Sequence, residues 1–116
     1  MGPGDVILAR LPAAPGKLGG LRPALVVAVL PGYFPALLVC GISSRIGRSD
    51  PEWDIQLSSD HGEFEASGLK TPSVIRPSWL ETLSVDANLS VIGHLSGQMV
   101  VAVRQRIVAA LTQPPP

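Results

Sequence analysis

The chain has 116 residues, enough for one domain with a sizeable core. Its 46% hydrophobic and 16% charged residues exclude a disordered polyelectrolyte. Nine positive and nine negative side chains leave no net charge, so nothing in bulk draws it to nucleic acid.

Twelve glycines and twelve prolines imply many turns, and therefore short strands more than long helices. In chain order, residues 5–9 are expected to form a first strand. Residues 10–21 form a Pro/Gly-rich loop with two positive charges. Residues 24–30 and 36–42 are β-branched, apolar strands joined through Pro31-Gly32-Tyr33-Phe34-Pro35. The stretch from Pro23 to Ser44 carries no charge and is long enough for a membrane helix. The central Pro-Gly and Pro35 break it, so two strands around a turn explain it better. Residues 43–51 are a polar loop carrying Arg45 and Arg48. Residues 53–57 alternate apolar and polar as a half-buried strand does. Residues 58–70 are a polar excursion, drawn as a hairpin around His61-Gly62. Residues 73–76, 79–85 and 90–95 complete a set of six or seven short strands.

Ser96 then has the character of an N-cap. Over residues 97–111, Val100, Val103, Ile107 and Leu111 fall on one face at helical spacing, about four turns in all. Pro114-Pro115-Pro116 cannot continue a helix. The expected organisation is a single domain over 1–112 and a disordered tail over 113–116. Short strands followed by one amphipathic helix predict a small, strongly bent sheet or barrel with the helix packed on it.

Charge is segregated along the chain. Between residues 6 and 49 every charge is positive: Arg10, Lys17, Arg22, Arg45 and Arg48. Between residues 50 and 65 every charge is negative: Asp50, Glu52, Asp54, Asp60, Glu63 and Glu65. A neutral total can therefore hide a basic face, although ordinary solvated loop charges give the same pattern. Cys40 is the only cysteine, sits in an apolar run and can form no internal disulfide, which fits a reducing compartment. His61 and His94 lie far apart and supply no metal-ligand spacing, so no metal or other cofactor is expected. Met1-Gly2-Pro3-Gly4 is not expected to open a signal peptide. A cytoplasmic, non-membrane protein is the expectation.

Arg22 stands out. Gly19-Gly20 delivers it to the rim of an apolar strand, immediately before Pro23. A proline is tolerated where a strand starts, because its missing N–H need not join a ladder. A planar, bidentate guanidinium fixed at such a rim is a natural phosphate ligand.

The order of motifs resembles the MazF/PemK/Kid family of bacterial toxin endoribonucleases. Gly4-Asp5-Val6 is similar to the family's opening strand. Gly20-Leu21-Arg22-Pro23-Ala24-Leu25-Val26-Val27 is similar to its Gly-x-Arg-Pro-x-Leu-Val block. Ile42-Ser43-Ser44 stands where the family carries Thr-Ser or Thr-Ala, and Ser73-Val74-Ile75-Arg76, Glu81-Thr82-Leu83 and Ile92-Gly93-His94-Leu95 resemble its later strands. The likeness covers about residues 4–111. It implies a small SH3-like β-barrel with a C-terminal helix, a homodimer, and inhibition by an antitoxin protein. It further implies metal-independent cleavage of single-stranded RNA to a 2′,3′-cyclic phosphate and a 5′-hydroxyl.

Such cleavage needs the 2′-hydroxyl deprotonated, the leaving 5′-oxygen protonated and the charged phosphorane stabilised. The resemblance carries catalytic roles onto Arg22, Ser43 and Arg76. Arg22 suits charge stabilisation, since a guanidinium is a poor acid. Ser43 keeps the hydroxyl of the family's threonine without the β-branch that restricts its rotamers. A turn serine capping the loop is an equal reading of it. Arg76 would point to one sheet face, in reach of Arg22 or simply exposed. Lys17, Ser44, Arg45, Ser73 and Ser78 are expected RNA contacts. Ser78 replaces the aspartate that Kid-type members carry two residues after the second arginine, so no general base is evident; no pattern selects a carboxylate from the acidic block. Of the five aromatic residues, Trp53 and Phe64 are candidates to stack on RNA. Two alternatives stay open: a non-catalytic toxin poisoning a protein target, as the related CcdB group does with DNA gyrase, and a degenerate RNA-binding barrel.

Overall fold

A computed structural model describes the backbone of residues 1–14 and 17–116, and side chains outside 12–19. Six antiparallel strands make one curled sheet: β1 (Asp5–Ala14), β2 (Lys17–Leu30), β3 (Ala36–Ser43), β4 (Ile55–Leu57), β5 (Ser73–Ser84) and β6 (Ser90–His94). Their order is β4-β5-β3-β2-β1-β6, so β4 and β6 are its edges. One helix, α1 (Gly97–Leu111), follows. The expected bent sheet with a C-terminal helix is the observed architecture.

The alternating apolar residues of β2 and β3 are buried on both faces. Leu25, Val27, Cys40 and Ile42 join a core completed by Met99, Val103 and Ile107 of α1. Ala24, Val26, Leu37 and Val39 face the other way, with Ile7, Ala9 and Leu11 of β1. A strand buried on both faces reads as a continuous apolar run, which is why residues 23–44 resembled a membrane segment. No helix among the described residues is long and apolar enough to cross a membrane.

Several boundaries differ from the sequence reading. The loop expected over 10–21 is largely strand: β1 and β2 continue as a two-stranded arm, with Pro12 opposite Leu18 and register shifts on both sides of Pro12. Beyond the reach of β3 and β6, each strand has one free edge, so a proline costs no ladder bond. Residues 73–76 and 79–85 are one strand running through Pro77. The register against β3 shifts between Cys40 and Ile42, and this irregularity absorbs the proline. It also moves Trp79 onto the face opposite Ile75. The strand expected over 53–57 is only Ile55–Leu57. No hairpin forms at His61-Gly62. Residues 61–68 coil in successive turns, bonded Ser67 N–H to Glu63 O at 3.1 Å and Gly68 N–H to Glu65 O at 3.2 Å.

That excursion covers the gap between the two sheet edges. His94 N–H donates to Ala66 O at 2.8 Å, and Phe64 and Leu69 pack against the helix-side core. Glu63 accepts from the Ser96 N–H at 2.6 Å and from the Ser96 hydroxyl at 2.9 Å. Ser96 Oγ in turn accepts from Met99 N–H at 3.2 Å, as expected of an N-cap. A carboxylate there also suits the positive end of the helix dipole. The expected stripe is buried at Val100, Val103 and Ile107. Leu111 is 75% exposed, so the stripe is not buried in the last turn.

Candidate active site

Arg22 pairs with Ala9 of β1, two residues before β2 begins to pair with β3 at Ala24. It is exposed there, with Pro23 holding the strand beneath it. Ser43 ends β3 opposite Val74 of β5 and is half-buried; its Oγ accepts the Arg45 N–H at 3.1 Å. The structure brings Arg22, Ser43 and Arg45 together around one groove of about 260 Å³, walled by Ile42 and Trp79. Arg22 and Ile42 also line a second, larger groove of about 510 Å³. Ser44, Ser73, Lys70 and Thr71 contribute to that one. Arg22 therefore serves both.

Among the described residues Arg76 is ion-paired with Asp54, and His94 Nδ1 lies 3.1 Å from Asp5 Oδ1. Arg22, Arg45 and Lys70 have no carboxylate within salt-bridge distance among those residues. Three uncompensated cations around adjoining grooves make an anion-attracting surface despite the neutral total.

Arg76 is placed differently. Its Nη1 donates to Asp54 Oδ2 at 3.0 Å and its Nη2 to the Arg45 carbonyl at 3.2 Å. It lines neither groove of Arg22. Asp54, 9% exposed, also accepts the Asp50 N–H at 2.9 Å. A carboxylate does stand beside Arg76, then, supplied by the acidic block and not by the position of Ser78. Ser78 lines a separate groove with Asp50, Trp53 and Arg106. Ser73 is almost buried, and its hydroxyl donates to the Thr71 carbonyl at 2.8 Å. The expectation for Lys17 concerns a side chain outside the described ones.

Sequence reasoning missed Lys70 and Trp79. Lys70 is the first cation after the acidic run and lies between Gly68 and Pro72, a turn signal that could have drawn notice. Trp79 reaches the site because Gly41 has no side chain: a Cβ there would lie 2.1 Å from the indole ring. Of the aromatics proposed for stacking, Phe64 is spent on the core and Trp53 lines the Ser78 groove. No three potential metal ligands cluster among the described residues.

A family model described as PemK-like, MazF-like toxin of type II toxin-antitoxin system matches residues 2–111. The chain belongs to this family. Its fold is that of a MazF crystal structure from Deinococcus radiodurans, with a TM-score of 0.69 over 97% of both chains at 18% identity. No curated protein matches the chain in sequence. A PemK-like toxin of this type implies an antitoxin as its partner, and residues 4–111, where the sequence resemblance lay, fall within the matched span.

Proposed function

We propose that this PemK-like chain is an endoribonuclease that cuts single-stranded RNA at preferred sequences, without a metal, leaving a 2′,3′-cyclic phosphate and a 5′-hydroxyl. The observation that carries the reading is Arg22: exposed, free of carboxylate partners among the described residues, and shared by two adjoining grooves with the Ser43 hydroxyl at its side. In-line attack by a 2′-hydroxyl builds negative charge on the equatorial phosphoryl oxygens. A guanidinium presented beside them by β2 offsets that charge with two parallel N–H donors. Ser43 Oγ accepts from Arg45 N–H, so its proton is available to a phosphoryl oxygen. Arg45 adds a second cation on the same groove. Arg76 acts behind it as a positioning residue, holding the Arg45 backbone through the ion pair with Asp54.

The substrate would be messenger RNA in the cytoplasm, the active form a homodimer over residues 1–112, and the antitoxin a competitor for the basic grooves. The test is incubation of the pure protein with a mixed RNA pool in EDTA. Discrete fragments with cyclic phosphate ends are expected, with cleavage by Arg22→Ala lower by about 100-fold or more, the usual effect of deleting one transition-state donor. Intact RNA, or undiminished cutting by folded Arg22→Ala, overturns the reading; intact RNA with blocked supercoiling would point to a protein target instead.

A further inference from the structure

Holding a phosphate does not require the larger groove. Its volume of about 510 Å³ suits a small organic ligand, and its floor is apolar, formed by Leu8, Ile42, Leu69 and Ile92. Arg22 and Ser44 line it on one side, and Lys70, Thr71 and Ser73 add polar groups from the segment 68–73, which is firmly built. Gly68 adopts φ +74° and lies so close to β6 that a Cβ would come within 2.0 Å of the Ile92 carbonyl oxygen. Buried Ser67 donates to the Phe64 carbonyl and accepts the Leu69 N–H at 3.2 Å. Ser73 holds the Thr71 carbonyl at the other end. Between these anchors Lys70 and Thr71 stay exposed at the rim.

From this we infer that the groove is a nucleobase subsite beside the scissile phosphate, and that Lys70 selects a keto base, guanine or uracil, at that position. The inference rests on the ribonuclease reading of Arg22. A nucleobase has apolar faces and a polar edge, matching an apolar floor with polar groups along its walls. The Lys70 ammonium only donates. Guanine O6 and N7, and uracil O4, accept from it, whereas the exocyclic amines of adenine and cytosine would set donor against donor. Arg22 borders the same groove, so a base seated there has its phosphate beside the guanidinium. No carboxylate among the described residues pairs with either cation, which leaves both for an anionic strand.

The test is a random-sequence RNA pool cut by the wild type, Lys70→Met and Lys70→Arg, with the cleavage ends sequenced. Wild type should favour guanine or uracil at one position flanking the cut. Lys70→Met should lose that preference by about tenfold while keeping preferences elsewhere, and Lys70→Arg should keep most of it. Thr71→Val, which removes a hydroxyl at nearly constant volume, should weaken the preference at the same position. A uniform loss across all sequences would make Lys70 a phosphate contact and overturn the subsite. An unchanged base profile in Lys70→Met would overturn it too, leaving the nuclease intact. A wild type that cuts no RNA overturns the nuclease reading and the subsite together.

Discussion

Asp54→Ala separates the two roles that Arg76 could play. Asp54 Oδ2 accepts from Arg76 Nη1 at 3.0 Å and from the Asp50 N–H at 2.9 Å. The substitution removes both bonds and leaves a guanidinium, whose side chain is only 20% exposed, without its anion. Breaking a fully buried pair from one side costs about 3–5 kcal/mol. Arg76 reaches water in part, which lowers the figure to about 2–3 kcal/mol, and without Asp54 the guanidinium is no longer held on the Arg45 carbonyl. In a domain of this size that is a fall in Tm of about 10 °C, read by circular dichroism. Arg76→Ala should cost a similar amount, and the double variant about 1–2 kcal/mol less than the sum, because the shared bond is lost once. RNA cleavage is the sharper assay, run where both variants are folded. If Arg76 works by holding the Arg45 backbone, the two single variants slow cleavage by factors within about threefold of one another. A dead Arg76→Ala beside a fully active Asp54→Ala would refute this reasoning and put the Arg76 guanidinium on the RNA itself.

Two further outcomes follow from the packing. Gly41→Ala forces the Trp79 indole off β3, so it should destabilise by about 1–3 kcal/mol, shift tryptophan emission and slow cleavage through the smaller groove; an unchanged spectrum would show that the ring does not rest there. Burial pushes the Cys40 thiol up to about 12, so at pH 8 the folded protein should resist a thiol reagent that labels it promptly once unfolded. Rapid labelling without denaturant would mean that β3 opens readily.

The paired apolar strands, the capped helix and the exposed Arg22 before Pro23 were legible because each depends on neighbours in the chain. Alternation, turn residues and a capping serine act over a few positions. The long β1–β2 arm and the unbroken β5 were not legible. Pro12 and Pro77 argue against strand locally, and only a free edge in one case and a register shift in the other make them tolerable. The site divides in the same way. Ser43, Ser44 and Arg45 lie at the end of β3, and Arg22 stands immediately before Pro23 in β2, where a sequence can point to them. Lys70 and Trp79 arrive from a covering segment and a shifted strand, for which spacing carries no signal.

By itself the amino-acid order determined a curled antiparallel sheet with one packed helix, the family, and an exposed arginine before Pro23. Tertiary structure alone decided which cations remain free. Arg22 and Arg76 are each an arginine flanking a proline, yet Arg76 meets Asp54, 22 positions away, while Arg22 meets no carboxylate among the described residues. Charge type is a property of the residue, whereas neutralisation depends on what folding brings within about 4 Å of it.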